Sequence, residues 1–139
     1  MQGATLDMTA VQVDGDLLLP AHSSWLQTAR RHVEQVAQRA GLDAQRSARF
    51  VYAVNEAVTN AIRHGKPDGE GRISLRTVLE ESSLTVHVQD SGSFSMPSTP
   101  PGQDAESGRG FALMSSFADE IRLDLRPGAT TVTLVACLP

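Results

Sequence analysis

A chain with a single cysteine, Cys137, can form neither an internal disulfide nor a cysteine-built zinc site, and it fits a reducing compartment. It also lacks any apolar run near the roughly 20 residues of a membrane span, and the charged, apolar and small-residue order of a secretory signal. The expectation is a cytoplasmic protein with no membrane partner. Positive charge is also scarce: the formal net charge is −4. That disfavours a surface built to track nucleic-acid phosphates, although a local cluster such as Arg30-Arg31 or Arg46-Arg49 can still form a patch. There is no internal repeat, and the one biased stretch, residues 91–108, is rich in Ser, Pro and Gly.

What is present is ordinary globular composition. With 40% hydrophobic and 20% charged residues, 139 residues suffice for one core and not for two, so residues 1–139 are expected to fold as a single domain. Val11, Val13, Leu17 and Leu19 around Asp14-Gly15-Asp16 suggest one or two short edge strands. From Ser23 or Ser24, either a plausible N-cap, apolar residues recur at helical spacing through Trp25, Ala29, Val33, Val36 and Ala40 until Gly41. Asp43 offers the next N-cap, and Phe50, Val54, Ala57, Val58, Ala61 and Ile62 mark a second helix reaching Gly65. Alternation over residues 73–79 and 84–88 predicts a hairpin. A short helix over 110–117 is followed by a second hairpin, alternating in Ile121, Leu123, Leu125, Val132, Leu134 and Ala136 about Pro127-Gly128. Such an order predicts an α/β (α+β) two-layer sandwich, with helices on one face of a mixed, mainly antiparallel sheet.

Three clusters can carry chemistry. Glu56 and Asn60, four residues apart, share a helix face, so a carboxylate and an amide enter one site. The neutral amide oxygen suits Mg²⁺, and the carboxylate can orient or deprotonate a hydroxyl, whereas the plainer reading is the wet face of an amphipathic helix. At a strand end, Asp90-Ser91-Gly92 is by default a turn, but an aspartate there can also accept a hydrogen bond from the exocyclic amine of adenine. Finally, Gly108-Arg109-Gly110 opens a helix, where exposed backbone N–H groups suit phosphate oxygens and Arg109 adds positive charge. His22, His32 and His87 are scattered and form no metal-ligand spacing, so surface or strand-face roles are expected. His64, at a helix end beside Gly65, is expected to favour the helix dipole rather than to act in catalysis.

The order of these clusters, and the stretch Asn55-Glu56-Ala57-Val58-Thr59-Asn60-Ala61-Ile62-Arg63-His64-Gly65, resembles the GHKL (histidine-kinase-like) ATP-binding domains, most closely the stand-alone bacterial anti-sigma-factor serine/threonine kinases. The resemblance implies ATP and Mg²⁺ as ligands. Glu56 would be the catalytic base, Asn60 the metal ligand, Asp90 the adenine-reading carboxylate and Gly92 the residue shaping its turn. Gly108 and Gly110 would be the phosphate-loop glycines, with Arg109 between them, and residues 91–107 the ATP lid. Thr130 or Thr131 would supply the polar residue near the adenine. It further implies a sigma factor and its antagonist as partners, no direct nucleic-acid contact, and a homodimer.

The chain departs from the family pattern at Phe94, where a second glycine often follows, and at Glu106, where a lid arginine is usual. These changes bear on phosphate transfer more than on nucleotide binding, because transfer relies on cations around the moving group. Two functions are therefore expected in competition: a kinase that sequesters a sigma factor and phosphorylates its antagonist, or a nucleotide-responsive binding module with little or no transfer. A sensor histidine kinase is disfavoured by the lack of a phospho-accepting histidine helix ahead of the domain.

Overall fold

The computed structural model of the chain describes residues 11–13, 16–64, 71–90, 116–126 and 129–139. In chain order these form β1 (Val11–Val13), β2 (Asp16–Pro20), a short 3-10 turn (Ser23–Trp25), α1 (Leu26–Ala40), α2 (Ala44–His64), β3 (Arg72–Leu79), β4 (Ser83–Asp90), β5 (Glu120–Arg126) and β6 (Ala129–Cys137). The strands make one sheet in the order β1-β2-β3-β4-β6-β5. All of its pairings are antiparallel, so the sheet is not mixed among the described residues. The predicted edge strands near the start resolve into a true edge, β1, and an interior strand, β2, which pairs on both sides.

Local signals set the helix ends. Gly41 closes α1 at φ 92°, in the left-handed region that favours glycine, and its N–H bonds back to the carbonyls of Ala37 and Gln38. Asp43 caps α2, its Oδ1 accepting the N–H of Arg46 at 2.8 Å. The start of α1 differs from expectation. His22 rather than a serine caps the preceding 3-10 turn, its ring accepting the N–H of Ser24 at 3.1 Å. An imidazole nitrogen can fill the acceptor role usually held by a hydroxyl.

Both helices lie on one face of the sheet, α1 over β2 and β3, α2 mainly over β4 and β6. Phe50, Val54 and Val58, spaced one turn apart on α2, meet Leu84, Val86 and Val88 of β4 and Leu134 of β6 in a single core that also takes in Val33, Leu19, Ile73 and Leu75. Burying each such large side chain contributes about 1.5–3 kcal/mol, so it is this apolar contact that fixes α2 above β4 and β6. His32, expected at the surface, is instead buried at 6% exposure on the core side of α1. It lies one turn from Ala29 and Val36 on the same face.

Candidate functional site

Arg46, in the first turn of α2, ties the start of that helix to the sheet. Its guanidinium donates to the Cys137 carbonyl at 2.6 Å and to the Asp119 carboxylate at 3.1 Å. The start of α2 is thereby fixed at the end of β6. Asn60 lies fourteen residues farther on, about 21 Å at roughly 1.5 Å per residue. Thr130 lies seven residues before Cys137 on β6, about 23 Å away at roughly 3.3 Å per residue. Asp90 and Thr130 are paired neighbours at the end of β6 away from Cys137. Helical periodicity adds the direction: Arg46, Arg49, Ala53, Glu56 and Asn60 recur along one flank of α2, and Arg46 shows that this flank looks toward Asp119 and β5. Glu56 and Asn60 are both half-buried.

Asp90 is the last residue of β4 and continues the inward series Leu84, Val86 and Val88, so period-2 alternation places its carboxylate on the helix side at 2% exposure. Its cross-strand neighbours are Ile73 on one side and Thr130 on the other. Among the described residues, Oγ1 of Thr130 is sealed from solvent and makes no hydrogen bond; the same holds for the Oδ2 atom of Asp90, whose residue is engaged through its other atoms. A buried hydroxyl left without a bond costs about 1–3 kcal/mol. Its placement beside a carboxylate that can only accept fits a planar, amine-bearing ligand such as adenine. Thr131, the alternative read from the sequence, pairs with Gln89 and belongs to the opposite, open face of the sheet. One step along a strand reverses the side chain, so Thr130 and not Thr131 shares the face of Asp90.

Gly92, Gly108, Arg109 and Gly110, with the expected lid over 91–107, lie outside the described residues, as do Phe94 and Glu106. Of the short helix expected over 110–117, residues 116 and 117 are described and are helical. Among the described residues no three His, Cys, Asp or Glu side chains converge as a metal cage. A divalent ion held by one amide oxygen and by nucleotide phosphates needs no such cage, and the neutral oxygen of Asn60 suits that role.

Two concavities among the described residues border α2. One lies between α1 and α2, where Gln27, Arg30, Arg31, Glu34, Tyr52 and Asn55 face it. The other is bounded by Arg46, Arg49 and Phe50 of α2 and by Phe117, Ala118 and Asp119, and so lies farther down the flank that bears Glu56 and Asn60. The open face of the sheet has a different character. His87 shares a hydrogen bond with Thr133 there, Nδ1 to Oγ1 at 2.9 Å. Burial holds its pKa below the ordinary value, with Arg76 and Arg122 adding to the shift and Asp16 opposing it. This histidine is on the other side of the sheet from Asp90.

Sequence reasoning did not find the fastening of residues 117–119. Asp119 Oδ2 accepts the Cys137 N–H at 2.7 Å as well as the Arg46 guanidinium, and the Phe117 ring meets Tyr52 edge-to-face with centroids 5.6 Å apart. Arg46 and Asp119 are 73 residues apart in sequence. No local pattern signals such a pair.

Comparison with known proteins places this geometry among relatives. The family model described as histidine kinase-like ATPase domain matches residues 19–136. A Listeria monocytogenes protein named serine-protein kinase RsbW is 30% identical over 129 residues, covering 84% of this chain and 82% of its own. The anti-sigma F factor of Clostridium acetobutylicum is 38% identical over 87 residues, 57% of this chain and 61% of its own. Among solved structures, that of the RsbU and RsbW domains of a Mycobacterium tuberculosis protein superimposes with a TM-score of 0.69 at 25% identity. The match covers 88% of this chain and 31% of that longer one. No helix among the described residues is long and apolar enough to cross a membrane.

Proposed function

Since this chain belongs to the histidine kinase-like ATPase domain family, we propose that it is an ATP-dependent serine/threonine protein kinase of the anti-sigma type. It holds a sigma factor and phosphorylates that factor's antagonist protein. The observation that supports the nucleotide part is the row formed by the buried Asp90 and the half-buried Thr130, whose Oγ1 is sealed from solvent, at the end of β4. The names of the relatives, serine-protein kinase RsbW and anti-sigma F factor, support the protein-directed part.

In this reading Asp90 accepts a hydrogen bond from the adenine amine, and Thr130 donates to or accepts from the ring edge. Asn60 would hold Mg²⁺ through its amide oxygen, and the ion would supply positive charge against the phosphates. Glu56 takes the proton of a serine or threonine hydroxyl on the antagonist. That oxygen bonds to the γ-phosphorus as the bond between γ-phosphorus and bridging oxygen breaks, and ADP leaves. A carboxylate is a competent base here because the proton moves as the oxygen bonds to phosphorus. The family resemblance would give Gly92 a role in the turn after Asp90 and Gly108, Arg109 and Gly110 the phosphate side.

The test is transfer of labelled γ-phosphate to a candidate antagonist protein that the chain binds. The expected result is a phosphoserine or phosphothreonine on the antagonist with the wild-type chain. With Glu56→Gln, transfer should be lost, by about 100-fold or more, while Mg·ATP affinity stays within about threefold. ATP binding without transfer to any antagonist the chain binds would sink the kinase and leave a nucleotide-responsive binding module.

A further inference from the structure

The order of strands leaves β5 at one edge of the sheet, paired with β6 on one side and, among the described residues, with nothing on the other. The opposite edge, β1, is three residues long, whereas β5 offers seven, Glu120–Arg126, five of them exposed. Open edges of this length are commonly blunted by lysine or proline; β5 carries neither. Its pattern is different. Ile121, Leu123 and Leu125 stand opposite Leu134, Val132 and Thr130 of β6, on the helix side, and Leu123 is 50% exposed. Glu120, Arg122, Asp124 and Arg126 alternate in sign along the open face. Ion pairs run along that row from Arg122 to Glu120 at 2.8 Å and from Arg126 to Asp124 at 3.2 Å.

About Leu123 this strand is its own complement. An antiparallel second copy centred there sets Leu123 against Leu123, Ile121 against Leu125, Arg122 against Asp124 and Glu120 against Arg126. Every apolar residue then meets an apolar one and every charge its opposite, pairings that stabilise adjacent strands. Other registers lack this match. Sliding the copy by two residues sets Arg122 against Arg122 or Asp124 against Asp124, and a parallel copy in register sets like on like throughout. We propose that two copies of this chain pair through β5 about a two-fold axis at Leu123, joining their six-stranded sheets into one. The contact is isologous and closes at two. A single strand pair falls at the low end of interface size, below about 1,200 Å², so the dimer is weak and depends on concentration. No residue of the proposed nucleotide site takes part, so Mg·ATP binding and dimerisation succeed or fail separately.

The test uses the full chain in sedimentation equilibrium from about 5 to 500 µM, where wild type should dimerise with a Kd on the order of 100 µM. Arg122→Asp with Arg126→Asp makes the row wholly acidic, and Glu120→Arg with Asp124→Arg makes it wholly basic. Each double variant alone should self-associate about tenfold more weakly than wild type or worse. An equimolar mixture of the two should associate at least as tightly as wild type. Disulfide trapping in a Cys137→Ser background reads the register. Leu123→Cys should cross-link to itself on oxidation, because directly opposed residues bring Cα atoms about 4.5–5.5 Å apart, within disulfide reach. Ile121→Cys should not, since its two copies lie four residues apart along the pair, about 13 Å; mixed with Leu125→Cys it should. A wild type that stays monomeric at about 500 µM overturns the inference. So does a dimer that persists in both double variants, which then uses another surface, and so does a mixture no tighter than its components. Equal self-trapping at positions 121 and 123 overturns it as well.

Discussion

Asp90→Asn is the sharpest test of the nucleotide site, because it changes charge without changing volume at a residue that is 2% exposed. The carboxylate can only accept, whereas the amide offers one acceptor and one donor group at the same place. A hydrogen bond to a charged acceptor contributes about 1.5–3 kcal/mol and a neutral one about 0.5–1.5 kcal/mol. The expected loss is their difference, about 1–2 kcal/mol, or about 5- to 30-fold in the dissociation constant of ATP. Stability should not follow. Removing a buried charge relieves its desolvation, and the nucleotide-free thermal midpoint is expected to stay level or rise. Inosine triphosphate gives the discriminating arm, since it presents a carbonyl where adenine presents an amine. The wild-type carboxylate repels that carbonyl, and the amide of the variant can donate to it. Calorimetry with both nucleotides should therefore show the ATP preference collapsing in Asp90→Asn. An unchanged ratio of the two affinities would refute the assignment of Asp90 as the adenine reader, whatever happened to the absolute values.

Other consequences follow from the same packing. Phe50→Ala removes a side chain that is 1% exposed beneath α2; it should cost about 3–5 kcal/mol and lower the thermal midpoint by about 10 °C or more. Gly41→Ala is expected to cost about 1 kcal/mol from backbone conformation alone, since its φ is 92° and an added Cβ meets nothing within 4 Å. Gly41→Asn should cost less, as chemical denaturation will show. Because His87 is held below its ordinary pKa, its charged form is disfavoured in the folded state and the unfolded chain binds the proton more readily. Its contribution is full above about pH 6.5 and is lost as pH falls below that value toward the lowered folded pKa. The fall in thermal midpoint between pH 7.5 and 5.5 should be smaller in His87→Gln, and an equal fall would rule His87 out as its source.

Much of the fold was legible because its signals are local. Gly41 and Asp43 punctuate the two helices, and alternation marked both hairpins to within a few residues. Where the reading missed, the local backbone path or the side of a helix that meets the core decided. Ser23 and Ser24 carry the usual capping hydroxyl, yet His22 does the capping because the chain enters α1 through a 3-10 turn. His32 looked polar enough for the surface, yet its place on the core face of α1 buries it. The choice between Thr130 and Thr131 was left open although period-2 alternation through Val132, Leu134 and Ala136 already puts Thr130 on the apolar face; the structure adds its pairing with Asp90.

The sequence by itself determined the elements, the chemistry each bears, and the family resemblance, since caps, periods of 3.6 and 2, and the Asn55 to Gly65 stretch are all properties of neighbouring residues. It left open which hairpin strand lies next to which. Tertiary structure decided that β6 and not β5 pairs with β4, an arrangement fixed by burying Leu134 and Ala136 beside Val86 and Leu84 under α2. That one pairing sets Thr130 beside Asp90, and the Arg46 grip on Cys137 ties the start of α2 to the end of β6. The site is therefore written locally as separate residues and assembled by the apolar contacts that fix strand order.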